Sequence, residues 1–453
     1  MAPVHPLTSV FGLAVLLGIA WAASNNRKAI RWRVVGWGMG LQLLFAVLIL
    51  KTGPGDSLFQ WISRAFEKLI AFTDAGGSFV WGWLYKKSLP PPFLVDVLMT
   101  IVFFAALMSL LYHLGVMQLV VGAIAKVMRK TMGTSGSETL SAAANIFVGQ
   151  TEAPLVVRPY LETMTLSELH AVMVGGFATI AGGVLAVYIS FGFDAGHLVA
   201  ASFMSAPAAL VAAKMSYPET QPSVTAGEVK VTFEKTTVNV FDAVCTGAGD
   251  GMKLALNVLA MLLAFVSLIA MVNWGVQKLT GGLRIEDLLG WLLAPVAWLM
   301  GVPWQDCRQV GGLLGMRMVL NEFIAYQRLA GMDLDPRSYV IAIYAFCGFA
   351  NFGSIAIQIG GLATIAPSRR ADLARLGLRA MLAGTLASFL TANIAGALLS
   401  DEQVERDYRW NRARVAATVQ ERDRHCDAFL SKYPASPYAG RFLEKKKEGP
   451  PAR

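Results

Sequence analysis

Long apolar runs almost free of charge decide what this chain can fold into. Residues 7–23, 35–51, 93–122, 254–274 and 379–399 each hold enough consecutive apolar side chains to cross the hydrocarbon core of a bilayer. A single soluble core has no use for so many. The composition agrees, at 55% hydrophobic, 15% charged and a mean hydropathy of +0.52. Because lipid leaves backbone groups no outside partners, such runs are expected to be helices. The 453 residues therefore predict an all-α polytopic membrane protein.

Charge sets the orientation. The first apolar run, Pro6–Ala23, is followed rather than preceded by Arg27, Lys28, Arg31 and Arg33, the reverse of a secretory signal. It reads as a first span with its N-terminus outside. Counting onward, basic clusters at 27–33, 126–130 and 369–379 all fall on one side, taken as cytoplasmic. Arg64, Lys68, Lys86 and Lys87 run against that trend. The net charge of +9 sits mostly in these short loops and calls for no nucleic acid. Cys245, Cys307, Cys347 and Cys426 show no paired spacing, and with five scattered His they form no metal pattern.

The expected order is a span at 7–23, a span at 35–51, and an amphipathic interfacial helix at 57–70 that separates Trp61, Phe66 and Ile70 from Arg64 and Lys68. A span at 93–115 leads to a polar hairpin at 138–160, a Gly-broken segment at 170–191 and an apolar one at 199–214. A polar connector (215–250), a span (254–274) and a second interfacial helix (285–300) precede a second hairpin at 309–330. A second broken segment (339–361), a basic loop (369–379) and a last span (379–399) follow. The sum is about eight transmembrane helices plus two re-entrant hairpins.

Two polar islands stand out against this background: Gly149-Gln150-Thr151-Glu152-Ala153-Pro154 and Asn321-Glu322. Each precedes an apolar segment broken at Gly-Phe-Ala, namely Gly176-Phe177-Ala178-Thr179 and Gly348-Phe349-Ala350-Asn351. Residues 138–214 and 309–399 thus read as one unit used twice, entered from opposite sides. Inverted repeats with broken helices place binding sites near the bilayer midplane. Gly149 permits a turn and Pro154 suits the start of a returning helix. Gln150, Thr151 and Glu152 offer amide, hydroxyl and carboxylate groups suited to a heterocycle. Glu322 can accept two hydroxyl hydrogens from a vicinal diol such as a ribose, with Asn351 and Ser354 adding donors from one helix face. Internal pairing competes with each: Glu152 with Arg158, and Glu322 with Arg317. Asn145 and Thr179, with carbonyls at Val148 and Ile180, could make an oxygen-only cation shell, or serve as ordinary polar packing residues.

GQTEAPLVVRPYL, GMRMVLNEFIAY and CGFANFGSIAIQIGG together resemble the signature motifs of the concentrative nucleoside transporters, over about residues 7–399. The resemblance implies a sodium-coupled nucleoside symporter of a bacterial inner membrane, taking nucleosides such as uridine. It also implies a homotrimer in membrane lipid, with a scaffold domain and a mobile transport domain moving as an elevator. It assigns Gln150, Thr151, Glu152 and Val184 to the nucleobase, Glu322, Asn351 and Ser354 to the ribose, and Phe349 to the lining. Asn145, Val148, Thr179 and Ile180 match the family's Na⁺ site. Arg317 stands where the family usually has Lys, and Thr179 where Ser is also common. The implied division is scaffold at 1–137 and 215–308, transport units at 138–214 and 309–399, and a soluble helical tail at 400–453. Two other functions compete: a proton-coupled carrier, and a membrane-embedded hydrolase using Glu152 and Glu322 as acid and base.

Overall fold

The computed structural model describes residues 6–82, 93–226, 237–415 and 419–447, all helix and connecting turn, with no strand among them. Lys86 and Lys87 lie outside the described residues. In chain order the helices are α1 (Pro6–Ala22), α2 (Trp32–Lys51), α3 (Gly53–Trp81), α4 (Phe93–His113), α5 (Val116–Met132) and α6 (Gly136–Ala144). After a tight 3-10 stretch at Ala153–Tyr160 come α7 (Leu166–Ala178), α8 (Gly182–Ser190), α9 (Ala195–Ser216), α10 (Val240–Thr280), α11 (Ile285–Leu299) and α12 (Trp304–Val319). The chain continues through α13 (Glu322–Gly331), α14 (Pro336–Phe346), α15 (Phe352–Ile365) and α16 (Arg370–Leu398). It ends in α17 (Asp401–Val415), α18 (Val419–Lys432) and α19 (Ala439–Lys447).

Five described segments are long and apolar enough to cross a membrane: α2, α7–α8, α9, α10 and Pro367–Leu398. Two further pairs qualify only if each bent pair is one span. Val97–His113 and α5 meet at 77°, and α11 and α12 at 117°. α1 and α15 are shorter apolar helices. The protein is a multi-pass, all-helical membrane protein.

Several boundaries differ from those expected. The amphipathic helix predicted at 57–70 extends over Gly53–Trp81, because the Thr52 hydroxyl caps it by accepting from Gly55 N–H (3.0 Å). The connector predicted to end near 250 turns helical at Val240. There Asn239 accepts from Asp242 N–H (2.9 Å), and the small residues that read as a loop become a packing face. A Cβ on Gly247 would lie 2.7 Å from the Ala105 carbonyl oxygen, and one on Gly251 2.9 Å from Val102 Cα, so α10 lies directly against α4. At 41 residues α10 is about 62 Å long, roughly twice a hydrocarbon core. The basic stretch 369–379 is likewise not a loop but almost wholly the first turns of α16.

The core is built by the repeats. α7, α9, α14 and α16 are buried along most of their length. α1 packs on α16 and α11, and α2 on α9. The turn into α7 is fixed by a reciprocal pair, Thr165 capping Glu168 N–H (3.1 Å) and Glu168 accepting from Thr165 N–H (2.9 Å). The connector then closes over this end, with the Ser223 and Thr225 hydroxyls donating to Glu168 (2.5 and 2.6 Å).

Candidate functional site

Each repeat interrupts a helix, and the interruptions touch. Residues 179–181 separate α7 from α8, and 347–351 separate α14 from α15. Peptide groups released there must find partners away from water. Phe349 N–H donates to the Thr179 carbonyl (3.3 Å), and Gly182 N–H to the Phe147 carbonyl in the turn of the first hairpin (3.0 Å). Gly348 makes the crossing possible: its φ is +152°, and a Cβ would sit 2.6 Å from the Phe177 carbonyl oxygen. Arg317, fully buried, donates to the Gly348 carbonyl (3.3 Å) and to Ser388 Oγ (3.0 Å), while Ser388 Oγ donates to the Cys347 carbonyl (3.0 Å). Arg317 therefore caps the broken end of α14. No Arg317–Glu322 ion pair is found among the described residues.

The two hairpin tips are joined by a buried chain of hydrogen bonds. Gln150 Nε2, from the first tip, donates to Ser354 Oγ (3.1 Å). Ser354 N–H donates to Asn351 Oδ1 (2.8 Å), and Asn351 Nδ2 to Glu322 Oε2 (3.3 Å). Tyr188 on α8 donates its hydroxyl to Glu322 Oε1 (3.0 Å). At the other end Gln358 Nε2 donates to Gln150 Oε1 and to the Met173 carbonyl, both at 3.1 Å. Local rules explain these placements. Asn351 is the N-cap of α15, and Ser354 and Gln358 follow on the same face at helical spacing. Glu322 opens α13, where the helix dipole favours a carboxylate, and Asn321 caps Ile324 N–H (3.0 Å).

Of the residues expected at a nucleoside, Gln150, Glu322, Asn351 and Ser354 form this chain, and Val184 is buried one turn before Tyr188 on α8. Thr151 is half-buried against Gly361 of α15, and Phe349 is half-buried at the crossing. Glu152 is exposed and stands outside the hydrogen-bonded chain. Tyr188 and Gln358 were not anticipated. Both carry a signal: Tyr188 sits four residues after Val184, and Gln358 is the lone amide in an otherwise apolar run.

The expected cation ligands lie on the turn at the root of the same hairpin and on the break between α7 and α8. Asn145 follows α6, and its Nδ2 donates to the Ser141 carbonyl (3.0 Å). Its Oδ1 is buried with no hydrogen-bond partner among the described residues. Thr179, one turn beyond Gly175, donates its hydroxyl to the Gly175 carbonyl (2.9 Å) and keeps its lone pairs available. A Cβ on Gly175 would lie 3.0 Å from Asn145 Nδ2, so α6 and α7 are in contact here. The Gly182–Phe147 bond ties the turn that contains Val148 to the end of the break that contains Ile180. An orphaned amide oxygen, a hydroxyl and two non-helical carbonyls are neutral hard donors, the set that suits an alkali cation.

Crossed broken helices and paired hairpins in an all-helical membrane bundle define a secondary-transporter type of architecture. Comparisons narrow the class. The model of the Na⁺ dependent nucleoside transporter N-terminus matches residues 11–84, that of the C-terminus 197–396, and a nucleoside recognition (Gate) model 94–193. A transporter from Haemophilus influenzae is 46% identical over 406 residues, covering 86% of this chain and 97% of that one. Sodium/nucleoside cotransporter 1 of Rattus norvegicus is 44% identical over 425 residues, covering 88% of this chain; the chain spans 65% of the rat protein's length. The structure of CNTnw in an inward-facing substrate-bound state superposes with a TM-score of 0.81 at 43% identity, covering 86% of this chain and 97% of that one. The chain belongs to the concentrative, Na⁺ dependent nucleoside transporter family.

Proposed function

We propose that this chain is a sodium-coupled nucleoside symporter, an elevator-type secondary carrier rather than an enzyme. The observation that carries the proposal is the hydrogen-bonded chain Gln150–Ser354–Asn351–Glu322, which gives both hairpin tips a share in one buried polar site. Glu322, Asn351 and Ser354 hold the ribose hydroxyls. Gln150, Thr151 and Val184 face the base, with Glu152 swinging in from its exposed position, and Phe349 lines the site. Na⁺ takes oxygens from Asn145, Val148, Thr179 and Ile180. Asn145 and Gln150 belong to one turn, so an ion that orders the root of the hairpin also orders its tip. That shared turn couples cation to solute.

The mobile unit comprises residues 138–214 and 309–399. The 1–137 and 215–308 segments, led by the α4–α10 pair, form the fixed scaffold, against which the mobile unit packs through α1 on α16 and α2 on α9. Outside its contact with α4, α10 exposes Leu256, Leu263 and Val266. Lipid, or neighbouring copies in a homotrimer, cover this face in a bacterial inner membrane. The test is uptake of radiolabelled nucleosides, uridine among them, by liposomes containing the purified chain, with and without an inward Na⁺ gradient. Accumulation of intact nucleoside that requires the gradient is the expected result. Uptake indifferent to Na⁺, or recovery of free base, would overturn it.

A further inference from the structure

The family models end at residue 396, yet the tail beyond them is bound tightly into the membrane part. Arg412 on α17 donates to the Ala330 carbonyl (2.8 Å) and to the Met332 carbonyl, the unpaired oxygens at the end of α13. Its guanidinium also lies 5.6 Å from the Tyr339 ring and 5.5 Å from that of Tyr408. Tyr408 OH donates to Asp333 (3.1 Å), in the link between α13 and α14. Asp407 reaches His197 Nε2 on α9 (3.1 Å), and His197 Nδ1 meets Tyr344 OH on α14 (2.9 Å). All three are buried. Burial alone would raise the Asp407 carboxyl, but Arg406 and then His197 hold it below the usual carboxylate range, so it stays charged.

These contacts grip the far end of α13, which carries Glu322, and the body of α14, which leads into the break before Asn351. α13 has ten residues, with Glu322 at one end and the Arg412-bound carbonyls at the other. A helix that short is not stable by itself, and a cation on its C-terminal carbonyls supports it in the way the dipole favours. α14 leads directly into the break that ends at Asn351; the tail touches it at Tyr339 through Tyr408 and reaches Tyr344 by way of His197.

We propose that Arg412 and Asp407 are positioning residues for the nucleoside site, acting through α13 and α14 on Glu322 and Asn351. The proposal rests on the transporter reading above. The tail is thus part of the transport machinery, not an appendage to it.

The test compares the full-length chain with Arg412→Gln and Asp407→Asn, each purified, reconstituted and assayed per folded molecule. A roughly three- to ten-fold rise in KM with Vmax little changed is expected, the scale of losing a helix-end cation. Arg412→Lys, which keeps the charge but reaches fewer carbonyls, should recover part of the loss. Amide hydrogen exchange should quicken in α13 and stay unchanged in α7. If Arg412→Gln does not fold, Tyr408→Phe removes only the Asp333 bond and should raise KM by a smaller factor. Unchanged KM in Arg412→Gln and Asp407→Asn, or unchanged exchange in α13, overturns the proposal. A parent chain that transports no nucleoside refutes the transporter reading instead, and the exchange comparison still decides whether the tail holds α13.

Discussion

Replacing Glu322 by Gln tests the ribose assignment at its centre. The side chain is 4% exposed and accepts from two neutral donors, Tyr188 OH at 3.0 Å and Asn351 Nδ2 at 3.3 Å. A carboxylate offers two acceptor oxygens, whereas a carboxamide offers one oxygen and an NH₂ that meets the remaining donor head-on. A hydrogen bond to a charged group is worth ~1.5–3 kcal/mol, and the variant forfeits the charge on both. Because the free site loses the same charge on its own donors, only the excess lost from the sugar hydroxyls reaches Kd, about 1–2 kcal/mol, or roughly a 5- to 30-fold increase. Calorimetric titration of the purified chain with uridine in saturating Na⁺ measures it directly. A Kd within about three-fold of the parent chain, in a variant that still melts cooperatively, would refute the assignment of Glu322 to the sugar.

Other outcomes follow from neighbouring features. Asn145→Ala removes the buried, unpartnered Oδ1 and should raise the Na⁺ concentration for half-maximal uptake several-fold, with little change in nucleoside affinity at saturating Na⁺; identical Na⁺ curves would exclude Asn145 from the ion site. Gly348→Ala puts a methyl 2.6 Å from the Phe177 carbonyl oxygen at a φ of +152°, so the helix crossing must shift; thermal unfolding should begin several degrees lower, and an unchanged melting curve would contradict the close approach. In the tail, burial first and then Arg409, Arg424 and Arg412 push His425 down to about 4. The unfolded tail takes up that proton near the ordinary value of about 6.5 and the folded tail does not, so stability is complete above that pH and falls between there and 4. A spin label at exposed Ser431 should become mobile across this window in the parent chain and not in His425→Gln; equal behaviour of the two would reject the mechanism.

Much of the site was legible because membranes make polar residues conspicuous. Gln150, Asn321, Glu322 and Asn351 interrupt apolar text, and the repeated Gly-Phe-Ala marked where helices break. Glu152 carried the same signal but lies exposed, since a tip in contact with its neighbours has a buried side and an outer one, and one-dimensional spacing does not say which is which. Tyr188 was harder to single out: a hydroxyl on an aromatic ring in an apolar run looks like packing until its carboxylate partner, 134 residues away, is known. The start of α10 was obscured for another reason. Gly247, Gly251 and the polar residues around them have loop composition, and only the surface of α4 turns that composition into a helical seam. The tail contacts link segments far apart in the chain, 80 residues for Arg412 and Met332 and 75 for Tyr408 and Asp333, beyond any local pattern.

The carboxylate of Glu322 is held by donors belonging to the protein itself, and this shapes what a guest gains on arrival. Sugar hydroxyls enter by exchange, displacing an existing donor instead of rescuing a bare charge. Binding strength is then the small remainder between two comparable sets of contacts, which suits a carrier that must let go of its cargo on the far side. The longer of the two contacts, from Asn351, is the one placed to yield first, so the grip of the carrier can be tuned at that amide without touching the charge.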